Sequence, residues 1–206
     1  MQDELKSSYI KDKPLLRDVS GVILAGGKSS RFGQNKAFAK IEGIPIIERV
    51  ARVFKILFRD IAIISNNPED YKYLGFPILQ DLVRDLGPLG GIFTALNEMP
   101  GRYFFVAACD MPFLNERLIR YMASFRTDFD IIAPKMGWKI EALHAFYSTN
   151  CRPHIKDLIE SGRYHVFRLL QMVSVRYMEE DEIRLYDPEL KSLMNINRPQ
   201  DFMDIS

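Results

Sequence analysis

The sequence predicts an α/β domain, a mostly parallel sheet with helices on both faces and a C-terminal antiparallel addition, from three observations. Short β-branched runs alternate with helical patterns from Val19 onward. The rhythm changes after Pro134, where strand-like and helical runs no longer alternate simply. Finally, 206 residues that are 47% hydrophobic and 12% aromatic suffice for one well-packed core and are short for two.

Each element has its own warrant. VSGVILA, DIAIIS, FPILQ, YFFVAAC and DIIAP are short apolar runs of the kind buried in parallel sheets. Between them, the helix beginning near Pro45 carries Ile46, Ile47, Val50, Val53, Phe54 and Leu57 at close to 3.6-residue spacing. GIFTALNEM reads as a second helix, and a third starts after Asn115 as N-cap and buries Leu118, Ile119, Met122 and Phe125. Beyond Pro134, KIEALHAFYS is expected as a strand, with helical segments near 149–161 and 164–172, a strand at VSVRYM and a final helix opened by Pro199. No repeat and no Gly-, Ser- or Pro-rich linker interrupts this, so residues 18–206 are taken as one domain behind an N-terminal extension, 1–17, that is expected to be disordered.

Lys+Arg and Asp+Glu nearly cancel, 28 against 27, so a net charge of +1 exerts no general pull on nucleic acid or an anionic membrane. Any anion site must be local. No run approaches the roughly 18 apolar residues of a spanning helix, and MQDELKSSYIKDKPLLRD lacks the apolar core of a secretory signal. A cytoplasmic protein is expected. Cys109 and Cys151 have neither CxxC spacing nor clustered histidines, which fits a reducing compartment and excludes a disulfide framework.

Ligands of open α/β sheets bind beyond the carboxyl ends of the strands. VILAGGKSS leaves its strand at such a point and superficially suggests a G-x-x-x-x-G-K-[ST] loop. Five residues, however, separate Gly21 from Gly27 where that motif allows four, and Val22, Ile23, Leu24 and Ala25 among them belong in the sheet. The G-x-G-x-x-G pattern is missing as well. What remains is G-G-x-x-x-R-x-G-x-x-K, in which paired glycines let backbone N–H groups approach phosphate while Arg31 and Lys36 add charge. Its bland counterpart is a basic surface turn. Three further places weigh against that. Asp110 in FFVAACDMP stands where a carboxylate holds Mg²⁺ against phosphates, the alternative being an Asx turn. Asp81 in FPILQD and the glycines of LGPLGGI lie at the same ligand edge, with solvation and a tight turn as their ordinary uses.

With these residues in hand, the chain resembles the molybdenum cofactor guanylyltransferases, within the larger nucleotidyltransferase group that carries L-A-[GA]-G-x-S-x-R-[MF]-G-x-x-K. LAGGKSSRFGQNKA, SNN, ILQD, GPLGGI, CDMP, HAFY and MNINRPQDF follow one another across most of the chain after residue 20. The resemblance implies a Rossmann-like three-layer α/β/α sandwich and Mg²⁺-dependent transfer of GMP from GTP to the phosphate of molybdopterin, with release of pyrophosphate. It implies that Leu24, Ala25, Gly26 and Gly27 line the GTP pocket, that Arg31 and Lys36 contact phosphates, that Asp81 helps read the nucleotide and that Asp110 holds the metal. Ser65, or one of Asn66 and Asn67 beside it, stands against the nucleotide. Gly90, Gly91, Asn195 and Asn197 would lie toward the pterin. Phe32 replaces the usual Met as an apolar filler, and Asn35 stands where Asp is frequent, removing one carboxylate beside the phosphates.

Three competing readings define the tests. A molybdopterin cytidylyltransferase or a sugar-phosphate nucleotidyltransferase would share the fold, although LAGG in place of LAAG favours a purine. A non-catalytic protein that binds GTP or pterin and delivers cofactor would release no pyrophosphate, against the retention of Lys36 and Asp110. Lys6, Lys11, Lys13 and Arg17 could dock a molybdoenzyme or a cofactor-synthesis protein, though a frayed mixed-charge terminus is the commoner state. Cys109 and His144 read as packing residues, His144 with a hydrogen bond, and Trp138 as a turn residue able to stack on a pterin or guanine.

Overall fold

A computed structural model of the protein describes residues 14–26 and 36–196. β1 (Val19–Leu24) is buried along its whole length, as a central parallel strand must be. A 3-10 turn at Lys36–Phe38 leads to a hairpin of β2 (Lys40–Ile41) and β3 (Ile44–Pro45), turned by Glu42 and Gly43 at φ 51° and 78°. Two left-handed residues form the primed turn that suits strand twist. There follow α1 (Ile46–Leu57), β4 (Ile61–Ile64), β5 (Ile78–Leu79), α2 (Pro88–Glu98), β6 (Tyr103–Ala108) and α3 (Glu116–Ala123). The remainder is β7 (Ile131–Met136), β8 (Lys139–Ile140), β9 (His144–Ser148), α4 (Cys151–Glu160), α5 (Val166–Leu169), β10 (Val175–Glu179) and α6 (Glu180–Arg184).

The main sheet runs β10-β7-β9-β6-β1-β4-β5, with β8 folded back on β7. β1 is parallel to β4 and β6, β4 to β5, and β7 to β10. β9 alone on this path is antiparallel, inserted between β6 and β7. The antiparallel addition expected after Pro134 thus belongs to the same sheet, but only in part as expected: β9 is antiparallel and lies in the interior, whereas β10 is an edge strand parallel to β7. KIEALHAFYS is two strands, not one: the Glu141 N–H bonds back to the Pro134 carbonyl at 2.9 Å and turns the chain before His144. The helix expected over 164–172 shrinks to α5, whose end tightens as the Gln171 N–H bonds to the Arg168 carbonyl.

The two faces pack differently patterned helices. α1 and α3 bury Val50, Phe54, Leu118 and Met122 against Ile23, Phe105 and Phe146. On the other face α2 and α4 bury Ile92, Leu96, Ile155 and Leu158 against Val22, Val106 and Tyr147. Gly21 creates the room β1 needs: a Cβ there would sit 2.6 Å from both Phe54 and Phe58. Asn115 caps α3 as expected, its Oδ1 accepting from the Arg117 and Leu118 N–H groups at 2.9 and 3.1 Å. Phe125 lies beyond the helix end but still packs on the core.

Pro14 to Asp18 lie against the domain. The Leu16 N–H bonds to the Leu57 carbonyl at 2.9 Å, Arg120 donates to the Pro14 carbonyl at 2.8 Å, and Arg126 pairs with Asp18 at 2.9 Å. Residues 1–13, with Lys6, Lys11 and Lys13, and the expected helix at Pro199 fall outside the described residues. Among the described residues no helix is long and apolar enough to cross a membrane.

Candidate active site

Hydrogen bonds carry the parallel ladder one step past its strands. The Ala25 N–H reaches the Ile64 carbonyl at 2.9 Å, Ser65 reaches Leu79 at 2.9 Å, and Cys109 reaches Leu24 at 3.0 Å. The loops after β1, β4, β5 and β6 therefore leave the sheet along one rim. This brings Ala25, Gly26, Ser65, Asp81 and Asp110 to neighbouring strand ends. Leu24 belongs to the ladder itself and is buried against α2. Gly27, Arg31 and Asn197 lie outside the described residues.

Lys36 is held to the same rim through its own turn. Ala37 is fully buried, Phe38 stacks on Tyr71 at 5.4 Å, and the Tyr71 hydroxyl donates to the Ala25 carbonyl at 3.4 Å. One buried tyrosine thus links the end of β1 to the turn that opens with Lys36. Sequence reasoning missed Tyr71, because YKYLGF has no periodicity that separates the buried tyrosine from exposed Tyr73.

Asp81 is clasped from two sides. The Asn66 amide donates to its Oδ2 at 2.8 Å while the Asp81 N–H donates to Asn66 Oδ1 at 3.2 Å. Ser65 is buried, and its hydroxyl accepts from the Asn67 N–H at 3.2 Å. Of the three polar residues after β4, the two amides face solvent and the hydroxyl shapes the turn. Farther along, the Leu82 N–H donates to Thr94 Oγ1 at 2.9 Å, and that hydroxyl donates to the Gly90 carbonyl at 2.9 Å. Thr94, a polar residue inside GIFTALNEM, offered a signal for this clasp that sequence reading passed over.

Gly90 and Gly91 sit buried in the first turn of α2. A Cβ on Gly91 would come within 2.7 Å of Leu24 Cδ2, and one on Gly90 within 3.1 Å of the Val83 carbonyl oxygen. Close packing of α2 on β1 and on the Asp81 loop accounts for both glycines.

Asp110 is half-buried, and burial raises its carboxyl above the usual carboxylate range. The Lys36 ammonium and the backbone N–H of Asp110 itself pull the other way, and the Glu141 carboxylate adds to the rise. Glu141, which sequence reading did not single out, is buried at this rim and meets Lys139 Nζ at 3.0 Å. The Asp110 carbonyl accepts from the Ile196 N–H at 2.9 Å, which sets Asn195 beside it. Asn195 Oδ1 is buried and has no hydrogen-bond partner.

Two neighbours fill packing roles. Burial, with Asp110 alongside, pushes the Cys109 thiol up to about 12, so it stays protonated. His144 is fully buried edge-on to Phe105 at 5.2 Å, and burial lowers it to about 4. The Ser192 backbone is the hydrogen-bonding neighbour that partly offsets this burial, in line with the packing residue expected at His144. Trp138 is 94% exposed at the tip between β7 and β8.

This arrangement has relatives. A sequence profile of the MobA-like NTP transferase domain matches residues 21–176. The molybdenum cofactor guanylyltransferase of Syntrophotalea carbinolica is 35% identical over 185 residues, 89% of this chain and 88% of that protein. That of Desulfosudis oleivorans is also 35% identical over 185 residues, 89% of this chain and 92% of its own length. The crystal structure of molybdopterin-guanine dinucleotide biosynthesis protein A from Archaeoglobus fulgidus superposes with a TM-score of 0.78 at 25% identity, covering 90% of this chain and 95% of that one. Profile, relatives and superposition concur: the chain is a nucleotidyltransferase and belongs to the MobA-like NTP transferase family.

Proposed function

We propose that this protein transfers GMP from GTP to the phosphate of molybdopterin in the cytoplasm, giving the guanine dinucleotide cofactor and pyrophosphate. The observation that carries the reading is the row of Ala25, Gly26, Ser65, Asp81 and Asp110 on adjacent strand ends, with Lys36 tied to it through Tyr71. The names of the relatives supply the substrates.

In the proposed site the nucleotide lies over β1, β4 and β5. Backbone at Ala25 and Gly26 approaches the phosphates without a side chain in the way at Gly26, where a Cβ would meet nothing within 4 Å. Lys36 neutralises phosphate oxygens, joined by Gly27 and Arg31, and Asp81, held by Asn66, faces the base or sugar. An oxygen of the acceptor phosphate attacks the α-phosphorus in line, and the bond to the bridging oxygen of the pyrophosphate breaks. The acceptor phosphate is already ionised at neutral pH, so no side chain needs to remove a proton. The protein supplies alignment and charge.

Asp110 fits Mg²⁺. It is a hard oxygen donor whose partial burial disfavours a bare carboxylate, and Mg²⁺ in such sites takes one or two carboxylates plus substrate phosphates. Bound there, Mg²⁺ would offset charge on the phosphate oxygens. Asn195 would meet the acceptor from beside Asp110, with Asn197 following it.

Thermal stabilisation by GTP, ATP, CTP and UTP, each with and without Mg²⁺, tests the reading, followed by pyrophosphate release on adding molybdopterin anaerobically. A ligand at about 100 times its dissociation constant adds roughly 2.7 kcal/mol to stability. Selective, Mg²⁺-enhanced stabilisation by GTP with pyrophosphate release is expected. Preference for CTP or UTP would overturn the guanylyl assignment, and binding without release would make this a delivery protein. Asp110→Ala should lower turnover by far more than tenfold, about 1.4 kcal/mol, in a folded protein.

A further inference from the structure

We propose that the Trp138 indole is the stacking platform for the acceptor's bicyclic pterin, an inference that rests on the function proposed above. Strand order carries the argument. All the nucleotide-side residues stand on β1, β4 and β5 or their loops, to one side of Asp110 at the end of β6. In-line attack requires the second substrate to approach the α-phosphorus from the side opposite the leaving pyrophosphate. The rim on the far side of Asp110 is built by β9 and then β7.

Register places Trp138 on that rim. Val106 lies opposite Ala145, and Ile132 lies opposite Phe146, so β7 and β6 share a common level through β9. Continuing the ladders sets Lys135 level with Ala108, and Gly137 and Trp138 level with the turn at Asp110 and Met111. Two strand spacings, about 10 Å, separate the two backbones. That is the span of a ring system lying beside a metal-held phosphate.

The turn is built to present the side chain. Met136 pairs with Lys139, leaving Gly137 and Trp138 as a two-residue hairpin loop with Gly137 at φ 57°, where a side chain would be strained. The next residue is the chain's only tryptophan, 94% exposed, and among the described residues no ring or cation is stacked on it. A core position would bury so large an aromatic; a planar ligand gives its bare face a partner. Guanine fits less well, since Asp81 and the amides after β4 stand on the opposite side of Asp110.

Because Trp138 is the only tryptophan, its emission in the full chain reports directly on what stacks there. Anaerobic molybdopterin should quench it, whereas GTP with Mg²⁺ should leave it nearly unchanged. Aromatic stacking on a planar base is worth about 1–3 kcal/mol, so Trp138→Ala should raise KM for molybdopterin by about 5- to 150-fold. KM for GTP should not move, and Trp138→Phe should recover most of the loss. An unchanged molybdopterin KM in Trp138→Ala, or quenching by GTP alone, overturns the proposal. So does a defect in Trp138→Ala seen only when a molybdoenzyme is added, which would make the indole a protein contact. Should the wild-type chain release no pyrophosphate from GTP and molybdopterin, the proposed function fails, and this inference with it.

Discussion

A methyl group on Gly91 would sit 2.7 Å from Leu24 Cδ2, nearer than side-chain carbons can approach. Gly91→Ala must therefore push aside the side chain of Leu24, the last residue of β1, directly before Ala25 and Gly26. A cost of about 1–3 kcal/mol is expected, seen as a lower urea midpoint at unchanged slope. At Asp110 the sign of the pKa shift sets a pH dependence. Its carboxyl is raised by burial, so acidification protonates it sooner than an ordinary carboxylate, and Mg²⁺-dependent turnover should weaken at a pH where other carboxylates remain ionised. Mg²⁺ titrations across the acidic range check this. Asp110 was legible in the sequence because an apolar strand ran straight into CDMP. Tyr71 was not, since its importance lies in a hydroxyl reaching Ala25, 46 residues away.

The segment from Asp81 to Leu89 shows how an element can be both strained and anchored. Asp85 and Gly87 take left-handed conformations at φ 64° and 59°, and the start of the segment is held twice, Asp81 by Asn66 and Leu82 by Thr94. Thr94→Val would remove the oxygen that accepts from the Leu82 N–H, at a cost of about 1–3 kcal/mol. Faster hydrogen exchange at Leu82 and weaker GTP binding are expected together, and exchange unchanged from wild type would free Thr94 of this role. Local pattern predicted strand, loop and helix here, and α1 and α3, the latter with its Asn115 cap, because each depends on neighbours within a turn. It could not place β9, because HAFYS looks alike wherever it pairs. Its position between β6 and β7 is decided by long-range register.

Across the whole molecule, buried apolar layers are stitched at the edge opposite the active site by a single carboxylate. Asp130 accepts from Ser148, Asn150 and Ser174, joining the beginning of β7, the end of β9 and the approach to β10. Burial would raise its pKa, but these hydrogen bonds outweigh it and hold the carboxyl below 3.8; the Arg126 hydrogen bond does the same for Asp18. Groups held below their unfolded value contribute stability that is full above about pH 4 and drains as pH falls further. Urea unfolding between neutral pH and pH 3 should show that decline, flattened in Asp130→Asn. The interior place of β9 also governs how the chain comes off the ribosome. β6 is complete at Ala108, yet its second edge is covered only when residues 144–148 arrive. Until then YFFVAA offers an unpaired, apolar strand edge, so chains stopped before Ser148 should aggregate or recruit chaperones where the finished protein does not.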